Sequence, residues 1–175
     1  MKAKLGQFFG LTVALSSCYA IVDDPIPPKY LGGWSFGGGV GVSTGSEPGA
    51  AGSLEVSKAW AYETVKRPVP VVSFGSVLVG TRQSYWYGEG AIRGPAPLPS
   101  PTLGIGCGLN VIDSVGPAVH LFASIPIPAN FLGDWILTGR NIPYVAPFYR
   151  PRFSLSDRTW SHEFGLQFKI FVFDK

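Results

Sequence analysis

The sequence predicts an all-β fold, an antiparallel meander barrel of about eight strands that follows an N-terminal signal segment. Two observations carry that expectation. The first is an alternation of apolar residues with tiny or polar ones. In residues 102–111, Leu103, Ile105, Cys107, Leu109 and Val111 alternate with Thr102, Gly104, Gly106, Gly108 and Asn110. In residues 34–43, Trp34, Phe36, Val40 and Val42 alternate with Ser35, Gly37, Gly39, Gly41 and Ser43. A period of two is the signature of a strand, whose successive side chains point to opposite faces. The second observation is that no stretch beyond the first 20 residues sustains a helical period.

Taken in order, residues 1–20 read as a signal peptide. Lys2 and Lys4 form a basic start, residues 5–15 an apolar stretch too short to span a bilayer, and small residues follow. Residues 21–32 hold Asp23, Asp24, Pro25, Pro27 and Pro28, a proline-stiffened spacer. Residues 33–175 form a single domain. After the first strand and a turn cluster at 46–52, Leu54, Val56, Trp60 and Tyr62 alternate with Ser53, Glu55, Ser57, Ala59 and Ala61, a hairpin partner for the first strand. Residues 69–81 and 83–92 are less cleanly patterned, one firm strand and one weaker, before a proline-rich loop at 94–101. Beyond the strand at 102–111, Val119, Leu121, Ala123 and Ile125 oppose His120, Phe122 and Ser124. Residues 144–155 read as an irregular strand. The last strand sets Phe164, Leu166, Phe168, Ile170 and Val172 against Glu163, Gly165, Gln167 and Lys169.

Composition restricts the function classes. Charged residues make up 14% of the 175-residue chain, against roughly 25% in an average soluble domain, and the mean hydropathy is +0.22. Aromatic residues at 14% supply the apolar bulk that disordered glycine- and proline-rich chains lack. A net charge of +3, scattered without a basic stripe, excludes a nucleic-acid surface. Two histidines far apart and a spare cysteine offer no metal-ligand spacing, so neither a metal nor a cofactor is expected. Cys107 is read as a buried small hydrophobe on the Leu103, Ile105 and Leu109 face.

The non-apolar face decides between a barrel in a membrane and a sandwich in water. Water-facing strand positions usually carry Lys, Glu, Thr and Arg, whereas here they are mostly Gly, Ser and Ala. Such residues weaken an exposed strand but suit a narrow lumen filled by a few large side chains among small ones. On this pattern the body resembles the small eight-stranded bacterial outer-membrane β-barrels. The resemblance implies apolar residues facing lipid, outer-membrane lipid as the surroundings, and a structural or interaction role without catalysis, with other envelope proteins as partners. Leu15-Ser16-Ser17-Cys18 resembles the lipobox of bacterial lipoproteins. That likeness implies a lipidated Cys18 at the mature N-terminus, and Tyr19 in place of aspartate implies outer-membrane retention. The other reading is cleavage after Ala20.

Three features run against a closed barrel. Lys58 falls on the apolar face, Pro143, Pro147 and Pro151 cannot donate to a ladder, and Phe171 and Phe173 share parity with the polar face. They keep open a lipid-tethered soluble β-sandwich or lipocalin-like ligand carrier. A lipid-modifying barrel enzyme is the third reading.

The candidate site residues follow from these faces. Glu55, Arg82, His120, Glu163, Gln167 and Lys169 are read as a polar lumen network, and Tyr85, Trp86, Tyr87, Trp135 and Trp160 as interfacial or ligand-contacting aromatics. No catalytic set is assigned. His120 and Ser124 lie about 13 Å apart along one strand, and of Ser161, His162 and Glu163 only the first and last share a face.

Overall fold

The computed structural model describes residues 32–60, 68–80, 83–94, 100–111, 115–129 and 141–174. The leader with Cys18, the spacer up to residue 31, Arg82 and Trp135 lie outside the described residues. The strands are β1 (Gly33–Gly45), β2 (Gly49–Ala59), β3 (Val69–Val79), β4 (Gln83–Arg93), β5 (Thr102–Val111), β6 (Val115–Ser124), β7 (Ile127–Pro128), β8 (Asn141–Ser154) and β9 (Thr159–Phe173). Every pairing is antiparallel. The order runs from β6 back through β1 to β9 and β8, and β6 pairs with β8 to close the sheet. Because β7 continues β6 past Pro126 in the same register against β8, the barrel has eight staves. The closed sheet replaces the sandwich alternative, and both weakly patterned segments, 69–79 and 83–93, are full strands.

The register fixes the barrel's shape. A circuit across paired residues runs from Ser35 through Ser57, Ser73, Glu89, Gly106, His120, Arg152 and Ser161 to Gly45. The return point is ten residues further along β1 than Ser35, a shear of ten. Eight staves with such a stagger tilt by about 40° and leave an interior only wide enough for side chains.

The proline-rich strand joins this ladder because its prolines share one edge. In an antiparallel strand a residue's N–H and C=O point to the same side, and the side alternates at each residue. The carbonyls of Pro143 and Pro147 accept from Ala129 N (2.9 Å) and Ile125 N (3.2 Å), so their missing N–H groups face the β6/β7 side too. Pro151, four residues on, repeats the arrangement. The β8–β9 ladder is therefore unbroken from Asn141 to Ser154. The cost falls on the closing seam, where pairing lapses at Leu121 and Phe122, opposite Pro151 and Arg150.

The side chains are inverted relative to a water-soluble protein. Leu54 (69% exposed), Ile105 (65%), Leu103 (64%) and Phe74 (61%) stand on the outer wall, while Arg150, Arg152, Glu163 and Gln167 are at most 1% exposed inside. Cys107 is on the face expected for it, but that face is the outer wall and the thiol is exposed, not buried. The other objections resolve locally. Lys58 is the penultimate residue of β2, not a mid-barrel one, and its Nζ pairs with the Asp174 carboxylate at 2.7 and 2.5 Å beneath Trp34. Phe171 turns inward onto the cluster of Ala59, Val69, Val71 and Ala91, which closes the end where the chain enters and leaves. Val77, Val79, Tyr85, Tyr87 and Ala118 form a second apolar cluster toward the other end.

Glycine makes the interior fit. A Cβ at Gly106 would lie 2.3 Å from His120 Cε1, and one at Gly75 2.5 Å from Tyr87 Oη, whereas one at Gly90 on the outer wall would meet nothing within 4 Å. Gly106→Val is expected to lose about 1–3 kcal/mol by overpacking. Gly90→Val should hold or slightly raise stability, since a β-branched residue suits an extended position. The midpoint of thermal loss of the compact, heat-modifiable gel band separates the two variants.

Candidate functional site

The chemistry-bearing residues converge inside the barrel. Alternation on β2 turns Glu55 and Ser57 inward, on β4 Tyr85, Tyr87 and Glu89, on β8 Arg150 and Arg152, and on β9 Ser161, Glu163, Gln167 and Lys169. Glu55 is the hub. Its Oε2 accepts from Tyr87 OH (2.7 Å), Gln167 Nε2 (3.2 Å) and Arg150 Nη2 (3.4 Å), and its Oε1 from Ser57 Oγ (2.8 Å) and from Lys169 Nζ.

Arg150 ties the hub to the opposite wall. It donates to Tyr87 OH (2.7 Å) and Glu163 Oε2 (3.3 Å), and its guanidinium stacks 4.3 Å from the Tyr87 ring centre and 5.2 Å from that of Phe122. His120 bridges Tyr85 OH through Nδ1 (2.8 Å) and Glu89 Oε2 through Nε2 (3.0 Å). Arg152 lies over Tyr85 at 4.7 Å, donates to Ser161 Oγ (3.0 Å) and pairs with Glu47 in the β1–β2 turn. Partial burial there pushes the Glu47 carboxyl above the ordinary carboxylate range, against the pull of Arg152.

Glu55, Glu89 and Glu163 thus share the interior with Arg150, Arg152 and Lys169, three carboxylates against three cations. Charge balance and at least one hydrogen bond to each charged group make buried charge tolerable, while Glu89 Oε1, Arg150 Nε, Arg152 Nη1 and Glu163 Oε1 stay buried without a hydrogen-bond partner. The space among Glu55, Glu89, Thr102 and Lys169 amounts to about 10 Å³, room for a single water at most. Among the described residues the lumen is thus a packed polar core.

The site residues expected from sequence divide accordingly. Glu55, His120, Glu163, Gln167 and Lys169 all lie in the lumen, His120 with Glu89, Gln167 and Lys169 on Glu55, and Glu55 and Glu163 on Arg150. Trp86 and Trp160 stand on the outer wall at 60% and 51% exposure. Tyr85 and Tyr87 correct the interfacial assignment: they lie inside, because strand alternation around an outward Trp86 must turn both neighbours inward, where their hydroxyls find partners. Sequence reasoning missed Arg150, Arg152 and Glu89. The first two share parity with Tyr144 and Phe148 and oppose the prolines, an alternation masked because proline supplies the outward face.

Among the described residues no hydrolytic constellation is brought together. His120 and Glu89 are paired as a base and its orienting carboxylate would be, but the third partner is a tyrosine, and their side chains are 0% and 1% exposed. His162 points to the outer wall, its Nδ1 2.9 Å from Tyr149 OH and its ring stacked on Tyr149 and Trp160, while Ser161 and Glu163 point inward. Among the described residues no group of three or more His, Cys, Asp or Glu could hold a metal ion. On the outside, a shallow apolar groove of about 810 Å³ runs between Phe36, Leu54, Phe74, Trp86 and Leu109.

No family model matches the chain, and no curated protein sequence does. The fold does have a likeness among solved structures. The crystal structure of Neisserial surface protein A (NspA) superposes with a TM-score of 0.51 at 9% sequence identity, covering 79% of this chain and 96% of that one. The likeness is one of fold, a closed antiparallel eight-stranded barrel.

Proposed function

We propose that this chain is an exported outer-membrane β-barrel with a structural or interaction role, neither catalytic nor appreciably conducting. The single observation that carries the reading is the inverted wall: large apolar side chains stand exposed on seven of the eight staves, prolines and half-buried Val145, Tyr149 and Phe153 supply the outer face of β8, and charged side chains fill the lumen. In water that surface would drive association, for soluble monomers rarely expose apolar patches beyond a few hundred Å². In hydrocarbon it is the required face, and a closed barrel leaves no unpaired strand edge. The fold likeness to a bacterial surface protein supports the same setting. The filled lumen speaks against the lipocalin-like carrier, and the divergence of His162 from Ser161 and Glu163 against a lipid-modifying enzyme. Cys18, at the end of the leader, would carry a lipid as a second membrane attachment.

Extraction of membranes with alkaline carbonate and urea tests this, using the native chain and Cys18→Ser with signal cleavage confirmed in both. Both are expected in the membrane pellet, folded and heat-modifiable on gels. Release of Cys18→Ser with retention of the native chain would mean that a lipid tether holds a soluble domain, and the reading would fall.

A further inference from the structure

The strand directions place the chain's connections unequally at the two ends of the barrel. One end carries four connections, residues 46–48, 80–82, 112–114 and 155–158, of three or four residues each. The other carries residues 60–68, 94–101 and 129–140, of eight to twelve residues, together with the segments that precede Gly33 and follow Phe173. Outer-membrane barrels usually have short periplasmic turns and longer outward loops. In this chain the long connections share an end with both termini.

Resting on the outer-membrane reading above, we propose that the barrel presents the end with its short connections to the cell exterior and its long connections to the periplasm. A chain delivered by a signal segment reaches the membrane from the periplasm. During insertion the connections at one end must cross the hydrocarbon, where every unsatisfied backbone group and charge is costly. Four connections of three or four residues are the cheaper set to pass through. Two of them already satisfy themselves within the fold: Ser46 N donates to Trp160 O at 3.0 Å and Gly80 N to Ala50 O at 2.7 Å. The end with the termini stays on the side of entry, as does a spacer leading from Cys18. It is also braced there, by the Lys58–Asp174 pair beneath Trp34 and by the bond from Asp174 N to Gly32 O (2.8 Å). What stands outside is then only four connections of three or four residues each.

Single-cysteine labelling in cells decides the orientation. In a Cys107→Ser background, Ser46→Cys marks the end with short connections and Pro68→Cys the other, both at exposed positions. Cys18 contributes no thiol, being either lipidated or removed with the leader. A membrane-impermeant maleimide is expected to label Ser46→Cys in intact cells, and Pro68→Cys only after the outer membrane is permeabilised. Labelling of Pro68→Cys in intact cells with Ser46→Cys protected would overturn the proposal while leaving the barrel in the membrane. If the two thiols behave alike and the protein leaves with the carbonate supernatant, the outer-membrane reading itself fails, and the orientation with it.

Discussion

Glu55→Gln is expected to destabilise the barrel by about 3–5 kcal/mol, the usual result of removing one partner of a buried charge set. The substitution preserves shape, so the loss reports charge and not a cavity. Glu55 is the carboxylate that meets both Lys169 and Arg150. Arg150 retains Glu163 at 3.3 Å, but Lys169 keeps no other carboxylate among the described ion pairs, and its ammonium would remain 6% exposed. Pairing the change with Lys169→Met should therefore restore part of the loss, because it removes the stranded cation as well. Urea unfolding of the purified protein in lipid bilayers measures both variants. A loss below about 1 kcal/mol, the range of solvent-screened pairs, would mean that water reaches the lumen, and the sealed interior that argues against conduction would be wrong.

Much of this architecture was legible because strand alternation is a local property. Residues 34–43, 102–111 and 163–172 each declare two faces without reference to their neighbours, and the small-residue character of one face pointed to a narrow lumen. What the sequence left obscure was relational. Lys58 looked costly until the register brought Asp174 beside it. The prolines of β8 looked incompatible with a ladder until one edge proved to take all of their missing donors. Tyr85 and Tyr87 carry the same chemistry as a headgroup-depth belt, and only their parity with Glu89 separates them from one. The hub at Glu55 could not be read at all beyond its members, since Tyr87, Arg150 and Lys169 lie on three other strands and meet only when the sheet closes with a shear of ten.

Closure also makes a sharp expectation for the outer wall. Leu54 sits in the middle of β2 with its side chain pointing away from the barrel, 69% exposed. In water, replacing so exposed a residue with arginine would change stability by about 0.5 kcal/mol or less. At the midplane of a bilayer the same change costs about 2–4 kcal/mol, falling to roughly 0–1 near the interfaces. Leu54→Arg and Leu121→Arg, the latter at a seam already short of hydrogen bonds, should therefore lose the full amount in lipid vesicles. Trp60→Arg, just beyond the end of β2, should lose far less, since its guanidinium reaches the headgroups. Between Leu54 and Trp60 the ordering depends on depth, because both side chains are on the outer wall of one strand's line and neither takes part in the lumen network. Equal, small losses at all three positions would show that the wall faces water, and the inverted surface would then have to be covered by protein instead of lipid. A graded loss would fix the bilayer around the middle of the staves, and with it the depth at which Glu55 and Arg150 must be neutralised by one another.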